Sequence, residues 1–245
     1  MIPTVAAKAV PHVTTDQMIE VDRAMIEDYR IDLTRMMENA GRNLAHLTRT
    51  RFLDSNPAGQ RVVVLAGTGG NGGGALVAAR RLHNYGARVD ALVAKPAERF
   101  SPVPRGQLDI VSRMGIPVAT ADEAASVTAP DVILDGLFGY SLRGAPRGPA
   151  AELIRWANEQ SAPIVSLDAP SGLDTTTGVV FDPAIRAAAT MTLALPKVGL
   201  RAPGVAPVVG DLYLADISVP PELYARFLGF EVGRVFAESD MIQLV

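Results

Sequence analysis

Between residues 61 and 86 the chain commits itself to one kind of architecture. Arg61–Ala66 (RVVVLA) is a continuous apolar run of strand length, and the next eight residues, Gly67–Gly74 (GTGGNGGG), contain six glycines. Ala75–Tyr85 then reads as a helix closed by Gly86. An apolar run without alternation suits a strand covered on both faces, as in a parallel sheet flanked by helices. Bare backbone between such a strand and a helix lets the chain turn sharply and bring N–H groups close to an anion, which the helix dipole favours. Ordinary turns need far less glycine.

The same alternation continues along the chain. Thr14 and Gln17 have capping-box spacing ahead of a helix whose apolar face is Met18, Val21, Met25 and Tyr29. A second helix is predicted over Leu33–Phe52. Further strands are predicted at Arg88–Ala94, Ile116–Ala119, Asp131–Leu134, Pro163–Leu167, Ala189–Leu195 and Asp211–Asp216, the last two read as the final strands. Gln107–Met114 and Ala150–Gln160 read as helices, and Pro96–Arg105 as a loop broken by prolines. With no repeat and no linker, residues 1–245 are expected to form a single nucleotide-binding domain. Its fold class is α/β, a three-layer αβα Rossmann-like arrangement with a mostly parallel sheet. Ligands of such sheets sit beyond the carboxyl ends of the strands. The loops 67–74, 135–148 and 168–178 should therefore meet at one site.

Composition narrows the function. The net charge of −3 offers no basic field for nucleic acid or an anionic membrane. The absence of cysteine removes thiolate nucleophiles and thiolate metal sites. No apolar run is long enough to span a membrane and the N-terminus lacks a signal-peptide pattern, so a cytoplasmic location is expected.

Gly67-x-Gly69-x-x-Gly72 matches the dinucleotide fingerprint, a weak signal alone. The acid a dehydrogenase needs at the end of the next strand is missing, Asp90 lying mid-strand. No Lys-Ser/Thr follows the glycines, which excludes a P-loop. Asn71, deep in the turn, suits either a ligand to a cation or an asparagine in a left-handed backbone. Asp135 and Asp168 each follow an apolar strand. Oxygen donors from Asn71, Asp135 and Ser171 suit a hard cation, monovalent as readily as divalent. Arg143 and Arg147 in the loop Gly139–Gly148 can fork onto a pyrophosphate. Lys197, in an apolar segment, suits a phosphate contact, a proton donor beside Asp168, or a snorkelling surface lysine. Ser171 lacks a nucleophile elbow, and the three histidines do not cluster.

Taken together, MENAG (37–41), VLAGTGGNGGGALVAAR (64–80), Asp135–Gly139, Arg147-Gly148-Pro149, DAPSGLDTTT (168–177) and LPKVGL (195–200) resemble the NAD(P)H-hydrate epimerase family over nearly the whole chain. The resemblance implies an isomerase that interconverts the R and S forms of hydrated NADH and NADPH. It implies ligand contacts at Gly70, Asn71, Gly72, Gly73 and Gly74, at Gly139, Tyr140, Ser141, Leu142, Arg143, Gly144 and Ala145, and at Asp168. It also implies one potassium ion per subunit on Asn71, Asp135 and Ser171. The proton shuttling that such an epimerisation needs is expected from Asp168 and Lys197 as the catalytic residues. A homodimer, and a separate dehydratase acting in the same pathway, are the implied partners. The family's turn reads Asn-Asn-Gly-Gly-Asp, so Gly70 and Gly74 depart from it. A non-catalytic or divergent nucleotide-binding protein on this scaffold is the alternative reading, and an NAD-dependent dehydrogenase a more distant one.

Overall fold

A computed structural model describes residues 2–245. Among them lie the strands β1 (Thr4–Val5), β2 (Arg61–Ala66), β3 (Arg88–Val93), β4 (Val118–Thr120), β5 (Val132–Gly136), β6 (Ile164–Leu167), β7 (Ala189–Leu193), β8 (Asp211–Ala215) and β9 (Met241–Leu244). The helices are α1 (Thr15–Glu27), α2 (Leu33–Phe52), α3 (Gly70–Asn84), α4 (Pro102–Arg113), α5 (Pro149–Glu159), α6 (Ala206–Val209) and α7 (Pro221–Leu228). The strands form one sheet in the order β1-β9-β8-β7-β6-β5-β2-β3-β4. Every neighbouring pair is parallel except β8 with β9.

The central strand β2 shows why the apolar run has no alternation. Val62, Val64 and Ala66 pack into one core with residues of α1, α2, α3 and α4, while Val63 and Leu65 pack into a second core with Leu153 and Ile154 of α5. Both faces are covered, which makes the three αβα layers expected from the sequence.

Several boundaries differ from the expectation. α3 starts at Gly70, five residues before Ala75, so most of the glycine-rich segment is the first turn of a helix. Glycine is a poor helix former, and here packing overrides propensity. α4 starts at Pro102, because proline fits a first helical turn whose N–H groups have no intrahelical partner. β5 runs through Asp135 to Gly136, so that aspartate belongs to the strand rather than to the loop after it. The last strand is β9 rather than β8, and β1 and α7 also lie outside the predicted elements.

Candidate active site

The carboxyl ends of β2, β5, β6 and β7 open into a cavity of about 680 Å3. The three loops expected to meet there all reach it. Thr68–Asn71, Gly139–Arg143 with Arg147, and Asp168 line it, as does Lys197 beyond β7. Met18 and Asp22 of α1 and Met36, Met37 and Ala40 of α2 form the facing wall. Lys95, Arg143 and Arg147 are exposed cations at its edge, placed to attract an anionic ligand.

The polar centre of the cavity is the ion pair between Lys197 Nζ and Asp168 Oδ1, whose residues are only 1% and 3% exposed. Asp168 follows β6 in a left-handed conformation (φ 66°), uncommon for a non-glycine residue and the kind of strain found at functional sites. Its Oδ2 accepts a hydrogen bond from the Tyr140 amide at 2.9 Å. Lys197 Nζ also donates to the Leu193 carbonyl at 2.9 Å and to Thr192 Oγ1 at 3.3 Å. The lysine therefore buries its charge against three oxygens, which excludes the snorkelling reading. Its backbone is fixed by Val13, whose amide donates to the Pro196 carbonyl at 3.0 Å and whose carbonyl accepts from Val198 at 3.0 Å. That short bridge also lays α1 across the cavity, starting from the Thr14/Gln17 capping box.

Tyr140 ties α1 to this centre. Its hydroxyl donates to Asp22 Oδ2 at 2.6 Å, its carbonyl accepts from Thr175 Oγ1 at 2.9 Å, and its ring lies 5.5 Å from Lys197 Nζ. Burial pushes the Asp22 carboxyl above the ordinary range, against the Tyr140 hydrogen bond that lowers it. Burial, and then the Asp22 charge, push the Tyr140 phenol upward. The sequence reading missed Asp22. The available signal was an acid at the i+4 position from Met18 on the helix's apolar face.

Asn71 lines the cavity, while Asp135 and Ser171 lie outside its lining, linked to Asn71 through the Phe138 backbone. Asp135 is fully buried and accepts four hydrogen bonds: Ser171 Oγ at 2.6 Å, Ser166 Oγ at 2.8 Å, Ser171 N at 2.9 Å and Leu137 N at 3.2 Å. Burial raises its carboxyl above the usual range, and these donors work against that. Asn71 Nδ2 donates to the carbonyls of Phe138 at 2.8 Å and Leu167 at 3.0 Å. Asn71 sits in the first turn of α3 with a negative φ, so the left-handed alternative does not apply. The side-chain oxygens of Asn71, Asp135 and Ser171, with no cationic side chain paired to Asp135 among the described residues, are of the type that suits a hard cation of low charge.

Other expected residues are placed differently. Gly70 lines the cavity, but Gly72, Gly73 and Gly74 are buried away from it. A Cβ on Gly72 would lie 1.9 Å from the Gly67 carbonyl, one on Gly73 2.7 Å from Met37 Sδ, and one on Gly74 2.9 Å from Leu167 Cδ2. These glycines serve close packing. Gly144 (φ 80°) and Ala145 are exposed and lie outside the lining. Asp90 lies within β3 and does not line the cavity, so it offers no ribose contact there.

Comparison with known proteins places this geometry. Residues 33–199 match the family model described as YjeF-related protein N-terminus. The chain is 43% identical to a protein of Dehalogenimonas lykanthroporepellens named NAD(P)H-hydrate epimerase, covering 91% of this chain and 88% of that one. It is 33% identical to a Rhodopirellula baltica protein of the same name, covering 89% and 88%. A Moorella thermoacetica protein named bifunctional NAD(P)H-hydrate repair enzyme Nnr is 35% identical, and the match spans 41% of its length. The crystal structure of yeast YNL200c superposes with a TM-score of 0.80 at 26% identity, covering 96% of this chain and all of that one. The motifs, the αβα sheet and these relatives lead to one conclusion: the chain belongs to the NAD(P)H-hydrate epimerase family, that of the YjeF-related protein N-terminus.

Proposed function

We propose that the chain is an isomerase that interconverts the R and S forms of hydrated NADH and NADPH at the cavity above β2, β5 and β6. The observation that carries the chemistry is the buried Lys197–Asp168 pair facing a cavity large enough for a nucleotide. Inverting the hydrated ring carbon needs no redox partner. The hydroxyl leaves as water after receiving a proton, and a water returning to the opposite face gives a proton up. In this reading Lys197 supplies the first proton, Asp168 accepts the second, and the Tyr140–Asp22 pair holds both in place. Gly70, Asn71 and the loop Gly139–Arg143 hold the nucleotide, with its phosphates towards the start of α3 and the rim cations.

Potassium is part of this reading, with Asn71, Asp135 and Ser171 as its ligands. Bound there, it would balance the Asp135 charge and hold the two loops together. A cytoplasmic setting, a homodimer, and a dehydratase that consumes the repaired form belong to the same proposal. The dehydratase accords with the relatives named bifunctional repair enzymes.

The test is the rate at which S and R hydrated NADH equilibrate. The chain is expected to exceed the spontaneous rate and Asp168→Ala to abolish the excess. No acceleration by the purified chain would sink the assignment. Potassium chloride is expected to raise the melting temperature above that in choline chloride, and Asn71→Ala to erase the difference. Identical melting in both salts argues against the ion.

A further inference from the structure

A second cavity, of about 720 Å3, lies between the later half of α2 and the edge formed by β8, β9 and β1. It shares no lining residue with the first. Its wall carries three guanidinium groups, Arg42, Arg49 and Arg51, against one carboxylate, Asp240. Arg42 pairs with Asp240 at 3.0 Å and Arg51 with Asp211 at 2.9 Å. Both pairs are about half exposed, and such pairs are weak and readily exchange partners. Arg49 makes no ion pair among the described residues. Its guanidinium lies 5.1 Å over the Tyr85 ring and donates to His46 Nδ1 at 3.1 Å. Burial, with Arg49 beside it, holds the His46 imidazole below its ordinary value. A ring accepting at Nδ1 carries its proton on Nε2, a further donor.

Tyr213 supplies the independent observation. It is 1% exposed and lines this cavity, yet its buried hydroxyl has no hydrogen-bond partner among the described residues. Buried polar groups almost always find partners, so an orphan at a cavity wall calls for a ligand atom or water. Donors dominate this wall and net positive charge surrounds it. Planar guanidinium forks match phosphate oxygens two at a time.

We propose that this cavity is a second binding site, for a phosphate-bearing small molecule, with Arg49 and the Tyr213 hydroxyl as its central donors. Arg42 and Arg51 turn from their exposed partners to close on the anion, and Tyr85 forms the flat wall beside it. The volume falls in the range of small-molecule pockets, and α2 carries both sites on one helix.

Calorimetric titration with pyrophosphate tests the site. The wild-type chain is expected to bind it at this cavity. Arg49→Gln and Tyr213→Phe should each weaken that binding about tenfold, as for loss of a charge-assisted or buried hydrogen bond. Neither substitution should alter the epimerisation rate. Arg143→Gln, at the rim of the first cavity, should leave the second-site affinity alone. Binding of AMP lost in the same variants identifies the ligand as a nucleotide, and exclusion of AMP identifies it as a free phosphate compound. Pyrophosphate affinity unchanged in both variants overturns the proposal, as does a wild-type chain that binds none at millimolar concentration. Melting curves that match the wild type keep a loss of binding from being a loss of fold.

Discussion

Asp168 and Lys197 are each legible as single residues, but only the fold makes them one unit. Asp168→Asn keeps a residue that tolerates the left-handed backbone, yet leaves an ammonium 1% exposed without its ion-pair partner. Breaking a buried pair in this way costs about 3–5 kcal/mol. Adding Lys197→Met removes the stranded charge, so the double variant should melt above the single one while remaining inactive. Strictly additive losses in thermal denaturation would show that the two groups are not coupled. Asp22 makes a prediction of different sign. Its folded-state carboxyl is raised above the unfolded value of about 3.9. Its contribution to stability is therefore fully present below that value and fades as pH climbs through the folded pKa. Asp22→Asn escapes the fading, so the variant should gain on the wild type as pH rises from about 4 to 7. Urea titrations across that range check this, and a constant difference would refute it. Gly70 and Gly74 could not be separated from sequence alone. A Cβ on Gly70 meets nothing closer than 3.8 Å, whereas one on Gly74 presses on Leu167 at 2.9 Å. Only the second departure from the family's turn is tied to packing on the cavity wall.

At the scale of elements, α2 and α3 meet at unusually close range, and Gly41 of MENAG allows it. A Cβ there would lie 2.4 Å from Val77 Cβ and 2.5 Å from the Gly74 carbonyl. Glu38, one turn earlier, pairs with Arg80 and Arg81 across the same contact. Gly41→Ala gains about 1 kcal/mol of helix propensity, but overpacking costs about 1–3 kcal/mol or more, and the backbone oxygen cannot step aside. The net expectation is a lower denaturation midpoint. Because α2 lines the cavity at Met36, Met37 and Ala40, KM should also rise. A midpoint at or above the wild type would show that the helices separate freely. The same contact explains what the sequence hid. The glycines after β2 read as a sharp turn because propensity and turn chemistry are local, while their helical state comes from packing against Met37 and Leu167. The capping box at Thr14 and the apolar run of β2 were readable because their signals are local.

For the whole molecule, alternating strands and helices disclosed the parallel core, and strand-end loops disclosed where the site would lie. The margin of the sheet was not disclosed. β1 has two residues, β9 has four, and α7 opens on Pro221, so none carries enough periodicity to stand out. Yet β9 joins the edge strand β1 to the rest of the sheet. It pairs antiparallel with β8 from Leu212–Leu244 to Ala215–Met241, and parallel with β1 at Thr4–Gln243 and Val5–Leu244. Its Met241, Ile242 and Leu244 are 2%, 2% and 6% exposed. Burying three such side chains contributes about 1.5–3 kcal/mol each, a large share of the roughly 5–15 kcal/mol that holds a typical domain together. Removing residues 241–245 would strip the pairing from β8 and β1 together, and the chain should then fail to melt cooperatively. A milder change separates fold from site. Ile242→Ala should cost about 2–5 kcal/mol while leaving the epimerisation rate unchanged at temperatures where the variant stays folded, since no residue of β9 lines the first cavity. Loss of rate in a fully folded Ile242→Ala chain would mean that this edge reaches the site through the sheet. An unchanged melting temperature in the truncated chain would mean that β9 is an appendage rather than the strand that ties β1 to β8.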